Sequence, residues 1–158
     1  MRAPKIYLET TMFNYYFDTE RDAHPDTVRL FEEIRAGKYQ GFTSAYTTEE
    51  LMDAPEEKRI KMLELIQKYD IVVLPISEEI DKLGALYQEH GILPRRSVTD
   101  ACHIAAAAIN DLDMIISLNF EHIVRKKTVI MTGSINSQLG LRPVDIRSPM
   151  EVVDREDT

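Results

Sequence analysis

Five residues in four short stretches could do chemistry together. Glu9 stands in "IYLETT", Glu50 in "TSAYTTEEL" and Asp100 in "TDACHIAAAA", and Asn119 and Glu121 stand in "DMIISLNFEHI". A cluster of carboxylate oxygens is what a hard divalent cation takes, and Mg²⁺ also keeps some waters and accepts substrate phosphate. Each residue also has a local explanation. Glu9 suits a turn, Thr47 with Glu50 suits a capping box, and Asp100 stands three after Ser97 in a similar relation. Asn119 is a common turn residue and Glu121 an ordinary solvated acid. A helix-end acid is favoured by the macrodipole. The local and the metal-site explanations are compatible, because both put these side chains at the same end of a fold.

The elements that must position them alternate. Residues 5–8 read as a strand, and "HPDTVRLFEEIRAGK" as a helix with Pro25 near its start, Val28, Phe31 and Ile34 on one face, and Gly37 as a stop. "YQGFTS" is a second strand. A short helix, a break near Pro55 and a longer helix with Ile60, Leu63 and Ile66 inward follow. "DIVVLPI" is a continuous apolar run of the kind buried on both faces of a sheet. "SEEIDKLGALYQEHG" is a helix capped by Ser77 and stopped by Gly91, with Glu78 and Glu79 in its first turn. An alanine-rich helix, "SVTDACHIAAAAIND", precedes the buried strand "DMIISLN". "FEHIVRK" and "TGSINSQLG" read as short helices with "KTVIMT" between them, and "LRPVDIRSP" holds a last strand. Such alternation indicates an α/β domain with a mostly parallel sheet. In open sheets of this kind the functional crevice lies beyond the carboxyl ends of the strands, where the acids fall.

Composition narrows the class. At 158 residues, 44% of them apolar, the chain suits one domain with one sizeable core, expected over residues 1–150 with a polar tail at 151–158. No apolar run approaches the roughly 18–20 residues of a membrane span, and the N-terminus lacks a long apolar stretch before a small-residue cleavage site. The expectation is a cytoplasmic protein. The single Cys102 excludes an internal disulfide framework, and its place in "DACHIAAAA" suits a buried structural thiol. A net charge of −8 argues against binding nucleic acid through a broad basic surface. It leaves room for an acidic metal site that attracts phosphate. "PRR" at 94–96 and "RKK" at 125–127 are the dense basic stretches. His103 and His122 lack the paired spacing of a zinc site, and each suits a core histidine as well as one flanking the acids. Nothing matches a Walker loop or "GxGxxG", so nucleotide-dependent chemistry has no support.

The order of "IYLETT", "TSAYTTEEL", "TDACHIAAAA" and "DMIISLNFEHI", ending in "RPVDIRSP", resembles the PIN-domain family, especially its VapC-like ribonuclease toxins, over residues 5–149. The resemblance implies a three-layer α/β/α sandwich with a mostly parallel central sheet. It implies a site that binds Mg²⁺ or Mn²⁺ for RNA phosphodiester hydrolysis, an antitoxin partner and a homodimer. By position Glu9 matches the usual first Asp, Glu50 (rather than Glu49, because Leu51 follows it) the Glu before an apolar residue, and Asp100 the Asp heading the alanine-rich helix. Asn119 falls where a further Asp commonly stands, Glu121 where some members have a second acid, and Thr10 where a hydroxyl follows the first acid. Arg95 and Arg96 suit flanking phosphates. The chain departs from the pattern twice: Glu9 adds a methylene, and Asn119 lacks a charge. It looks like a subgroup with "ET" first and "NF.H" last. The implied activity is a metal-dependent endoribonuclease, and the alternative is a PIN-fold RNA- or protein-binding module with a weakened site.

Overall fold

Tyr7 packs under one face of the central sheet while its neighbours Ile6 and Leu8 pack under the other, and all three are fully buried. That period-2 alternation places the first strand in the middle of the molecule. The computed structural model describes residues 2–155. Its strands are β1 (Lys5–Leu8), β2 (Gln40–Ser44), β3 (Val72–Leu74), β4 (Met114–Ile116) and β5 (Asp145–Arg147). Its helices are α1 (Thr10–Tyr15), α2 (His24–Arg35), α3 (Ala45–Leu51), α4 (Glu56–Lys68), α5 (Glu78–Glu89), α6 (Val98–Ile109), α7 (Lys126–Gln138) and α8 (Pro149–Val152). The strands form one five-stranded sheet in the order β3-β2-β1-β4-β5, every adjacent pair parallel. Tyr7 pairs with Phe42 on one side and Ile115 on the other. The chain winds outward from β1 through β2 to β3, then crosses back to β4 and β5. The sheet therefore has a topological switch point between β1 and β4.

Two cores flank the sheet, so the expected α/β/α sandwich is what forms. One gathers Tyr7, Ile115 and Ile146 with α5, α6 and Ile135 of α7. The other gathers Ile6, Leu8 and Ile116 with Met12 and Phe13 of α1, Leu30 and Phe31 of α2, and Met62 and Leu65 of α4. Alanines along α6 let it lie close to α5, where a Cβ on Gly84 would meet Cys102 Sγ at 3.1 Å. Cys102 is buried there, and burial with the nearby Asp81 pushes its thiol up to about 11, as suits an inert structural cysteine. Gly37 and Gly91 end α2 and α5 as expected, with φ of +84° and +72°, a left-handed conformation that glycine takes without a Cβ clash. Past β5, Val153 is buried, Tyr39 donates to the Val152 carbonyl, and the Asp154 N–H donates to Glu33. This docks the chain end beside α2. Residues 156–158 of the expected tail lie outside the described residues.

Several local expectations change. The "DIVVLPI" strand is an edge strand, with Val72 49% and Val73 41% exposed, because only β2 pairs with it. An apolar run records composition, and strand order decides coverage. On α4 the buried side chains are Met62 and Leu65, while Leu63 and Ile66 are half-buried and Ile60 is exposed. Met62 and Leu65 share a core with Tyr69, the C-cap of the helix, whose ring packs on Phe31. The two short helices expected over 120–126 and 132–140 are instead one helix, α7, starting at Lys126. Its buried face is Thr128, Thr132, Ile135 and Asn136, and the threonine hydroxyls donate back to the His122 and Thr128 carbonyls. A half-polar buried stripe hides the apolar period.

Gly84→Leu should push α5 from α6 and lower stability by about 1–3 kcal/mol despite the gain in helix propensity. Urea unfolding followed by circular dichroism would measure it, and an unchanged midpoint would mean that the two helices need no close approach.

Candidate active site

Beyond the carboxyl ends of β1, β2 and β4 stand Glu9, Glu50 and Asp100; Glu50 touches the buried His103 imidazole, whose charge also acts on Glu9 and Asp100. Glu9 leaves β1 and becomes the N-cap of α1. It is 3% exposed. Its Oε1 accepts from the Thr11 N–H at 3.2 Å, the Thr11 hydroxyl at 2.5 Å and the Ser117 hydroxyl at 2.7 Å. Ser117 ends β4, so this carboxylate ties the two strands that bound the switch point. Among the described residues its Oε2 receives no hydrogen bond. Burial, with repulsion from Glu50, pushes the Glu9 carboxyl above the usual range, against the pull of His103, Thr11 and Ser117.

Glu50 sits in the second turn of α3, which starts earlier than its sequence suggests because Ser44 caps it by accepting from the Tyr46 N–H. No Thr47–Glu50 capping box forms. Glu50 Oε1 instead accepts from the Thr10 hydroxyl at 2.7 Å and lies 2.6 Å from His103 Nε2. His103 is 0% exposed, and its Nδ1 is 2.6 Å from the Tyr7 hydroxyl, itself 2.5 Å from Ser44 Oγ. A carboxylate only accepts, so Nε2 carries a proton whatever the state of Nδ1. The result is a buried chain of polar groups, Ser44–Tyr7–His103–Glu50–Thr10, running from the core to the crevice. Burial opposes charge on both partners. Tyr7, Glu50 and Glu9 outweigh it at His103, raising the imidazole to about 10. At Glu50 the His103 N–H, its charge and the Thr10 hydroxyl outweigh it, holding that carboxyl below the usual range.

Asp100 stands in the first turn of α6, half-buried, and Ser97 makes no side-chain cap there. Burial pushes its carboxyl up and Glu50 repels it, while His103, His122 and a hydrogen bond from Asn119 act the other way. Asn119 is thus a neighbour of Asp100, and its own Oδ1 accepts from the His122 N–H at 3.0 Å. Glu121 points outward, its side chain 77% exposed and its carboxylate 3.7 Å from His122 Nε2. It joins none of the hydrogen bonds of the cluster. His122 Nδ1 is buried with no hydrogen-bond partner among the described residues. Thr10 is buried and its proton goes to Glu50, while Arg95 and Arg96 are exposed just ahead of α6.

Sequence reasoning did not find Tyr7, Thr11, Ser44 or Ser117, and it left His103 between a packed and a functional role. The structure buries it and sets it against Glu50 at the crevice. The only signal for the helpers was polarity in otherwise apolar strands, which looks the same for any satisfied buried hydroxyl.

A divalent cation fits this chemistry in part. Among the described residues Glu9 and Glu50 each keep one oxygen without a protein hydrogen bond, and burial, with repulsion from Glu50, raises the Glu9 and Asp100 carboxyls, a cost of ionisation that a cation would offset. Among the described residues no three His, Cys, Asp or Glu side chains stand ready-made around one point. Water and substrate phosphate would complete the shell, as is usual for Mg²⁺.

Residues 6–126 match the family profile described as PIN domain. No curated protein matches the chain. Among the solved structures that share its fold are two from toxin–antitoxin assemblies. One is a toxin–antitoxin complex from Klebsiella pneumoniae, 21% identical with a TM-score of 0.54 over 75% of this chain and 90% of that one. The other is VapBC2 from Rickettsia felis bound to a DNA fragment of its promoter, 10% identical with a TM-score of 0.53 over 91% of this chain and 98% of that one.

The imidazole binds its proton more tightly folded than unfolded. The stability this adds is full below the ordinary value of 6.5 and is lost as pH rises through about 10. Urea unfolding across that window should show stability falling with pH in the wild type and a flatter curve for His103→Gln, which keeps an N–H for Glu50. Parallel curves would show that His103 is not the group responsible.

Proposed function

The chain belongs to the PIN domain family, and on that premise we propose that it is a metal-dependent endoribonuclease, the toxin of a toxin–antitoxin pair. One observation carries the reading: Glu50, far from the others in sequence, hydrogen-bonds buried His103 beyond the strand ends, and the charges of Glu50 and His103 both act on Glu9 and Asp100. Glu9, Asp100 and Glu50 would hold a Mg²⁺ or Mn²⁺ through their open oxygens, with Asn119 and Glu121 as outer contributors through water. When bound, the ion would acidify a water and neutralise charge on the phosphate. Glu50, kept ionised by His103 and Thr10, accepts a hydrogen bond from the attacking water and aims it in line with phosphorus. Thr10 and His103 hold that carboxylate still. Arg95 and Arg96 bind the phosphates that flank the scissile bond.

An antitoxin and a second copy of the chain are the protein partners of this reading. The shared fold with proteins from two toxin–antitoxin assemblies supports the first. No helix among the described residues is long and apolar enough to cross a membrane. The proposed place of action is the cytoplasm, where its RNA substrates are.

A second reading, a PIN-fold module that binds RNA or protein without cutting, is favoured by Asn119. It brings no charge, and its carbonyl is already taken by the His122 N–H. Cleavage of several RNAs with Mg²⁺ or Mn²⁺ separates the two. Wild type should cut, chelation should stop it, and added metal should restore it. Asp100→Asn should lose roughly 100-fold or more, the equivalent of a few kcal/mol of transition-state stabilisation. Equal cleavage by wild type and Asp100→Asn would point to a contaminating nuclease, and no cleavage by either would favour the binding module.

A further inference from the structure

Ser44, Tyr7 and His103 are each 0% exposed, yet all three turn their polar atoms to one run of contacts. Followed through the elements, that run closes on itself. Ser44 is the N-cap of α3, and its hydroxyl oxygen accepts from the Tyr46 N–H at 3.2 Å. The same oxygen lies 2.5 Å from the Tyr7 hydroxyl of β1. Tyr7 lies in turn 2.6 Å from Nδ1 of His103 on α6, and the two rings pack with 5.6 Å between centroids. His103 Nε2 lies 2.6 Å from Glu50 Oε1, back on α3. The two ends of the path, Ser44 and Glu50, are thus the cap and the second turn of one helix. The ring ties α3, β1 and α6 together. A helix held at its cap and again in its second turn has its rotation about its own axis fixed.

Two features say what the ring does. A path for protons needs an outlet, and this one ends at fully buried Ser44, which among the described residues meets only Tyr7 and the Tyr46 N–H. It therefore orients and does not conduct. Burial also removes the substitute that an exposed site would have, since no water stands ready to replace a lost hydroxyl. Glu50 differs, with a side chain 36% exposed and an Oε1 held by two groups, Thr10 and the imidazole. An imidazole with no partner on Nδ1 is free to turn, or to carry its proton on that nitrogen. Either change takes the N–H away from Glu50.

We propose that Tyr7 is a positioning residue for Glu50, acting through His103, and that the buried ring Ser44–Tyr7–His103–Glu50 aims the carboxylate that receives the attacking water. Tyr7 itself touches neither substrate nor metal. The step it serves rests on the nuclease reading, while the ring is tested without RNA.

The test compares Tyr7→Phe, which removes only a hydroxyl, with Ser44→Gly, which removes the anchor of Tyr7 and leaves glycine, itself a tolerated N-cap. In metal-free buffer without RNA, solvent exchange of the His103 Nε2–H is followed by NMR, the signal being identified by its loss in His103→Gln. Exchange should be roughly tenfold faster in Tyr7→Phe, and faster also in Ser44→Gly. With Mg²⁺ and RNA, Tyr7→Phe should lower kcat roughly tenfold or more with KM unchanged. In a His103→Gln background it should lower kcat no further, because Tyr7 has no other route to Glu50. A merely structural hydroxyl would lower stability and leave the kcat of the folded enzyme where it was. Wild-type kcat in folded Tyr7→Phe, or an equal further loss in the His103→Gln background, overturns the proposal. So does unchanged exchange of the ring proton. If wild type cuts no RNA with Mg²⁺ or Mn²⁺, the nuclease reading fails and the ring proton alone decides: faster exchange in the variants sustains the ring, and unchanged exchange overturns it. If Tyr7→Phe does not fold, Ser44→Gly carries the same measurements.

Discussion

Three acids can share one crevice because His103 Nε2 lies 2.6 Å from Glu50 Oε1 inside the protein. Taking a carboxylate out of water costs several kcal/mol unless a partner and its hydrogen bonds make up the loss. Glu50 has both, from His103 and Thr10, and is the acid of the three whose carboxyl falls below the usual range. Glu9 and Asp100 lack such a partner and are pushed up. The imidazole is held in turn by Tyr7, fixed in the central strand, and Tyr7 by Ser44 at the end of the next. The polar chain therefore passes from the central strand of the sheet to the crevice beyond its carboxyl end.

Glu9 shows how one carboxylate serves both the fold and the crevice. Its longer side chain turns back to cap α1 and still meets Ser117 across the switch point, so one oxygen is a structural fastening and the other is left open. The same residue closes the joint between β1 and β4 and supplies charge to the crevice. Asn119 shows the reverse economy. Its carbonyl organises the turn to His122 and its amide supports Asp100, so an uncharged residue among the acids acts as a brace.

Charge is segregated around this centre. The chain is acidic overall, yet Arg95 and Arg96 stand exposed just ahead of Asp100 in the sequence, and Arg125 is held by the Ile92 carbonyl. A net charge counts residues without regard to place. The value of −8 therefore speaks against a broad basic surface, and it is silent about a narrow basic edge beside an acidic pit.

Much of the frame was legible in the sequence. The alternation of strands and helices, the stops at Gly37 and Gly91, the Ser77 cap and the acids at strand and helix ends follow from local chemistry, because backbone conformation and burial period act over a few residues. The same logic failed wherever the deciding neighbour was distant. It could not tell that "DIVVLPI" lies at the sheet edge, that α7 buries threonines, or that Glu50 belongs to His103 and not to Thr47. Tyr7 and His103 are 96 positions apart, and Glu9 and Ser117 are 108 apart. By itself the sequence determined which residue types stand at the ends of the elements. Only the tertiary structure decided which of them touch, because hydrogen bonds and charge act through space and the parallel sheet brings those ends together.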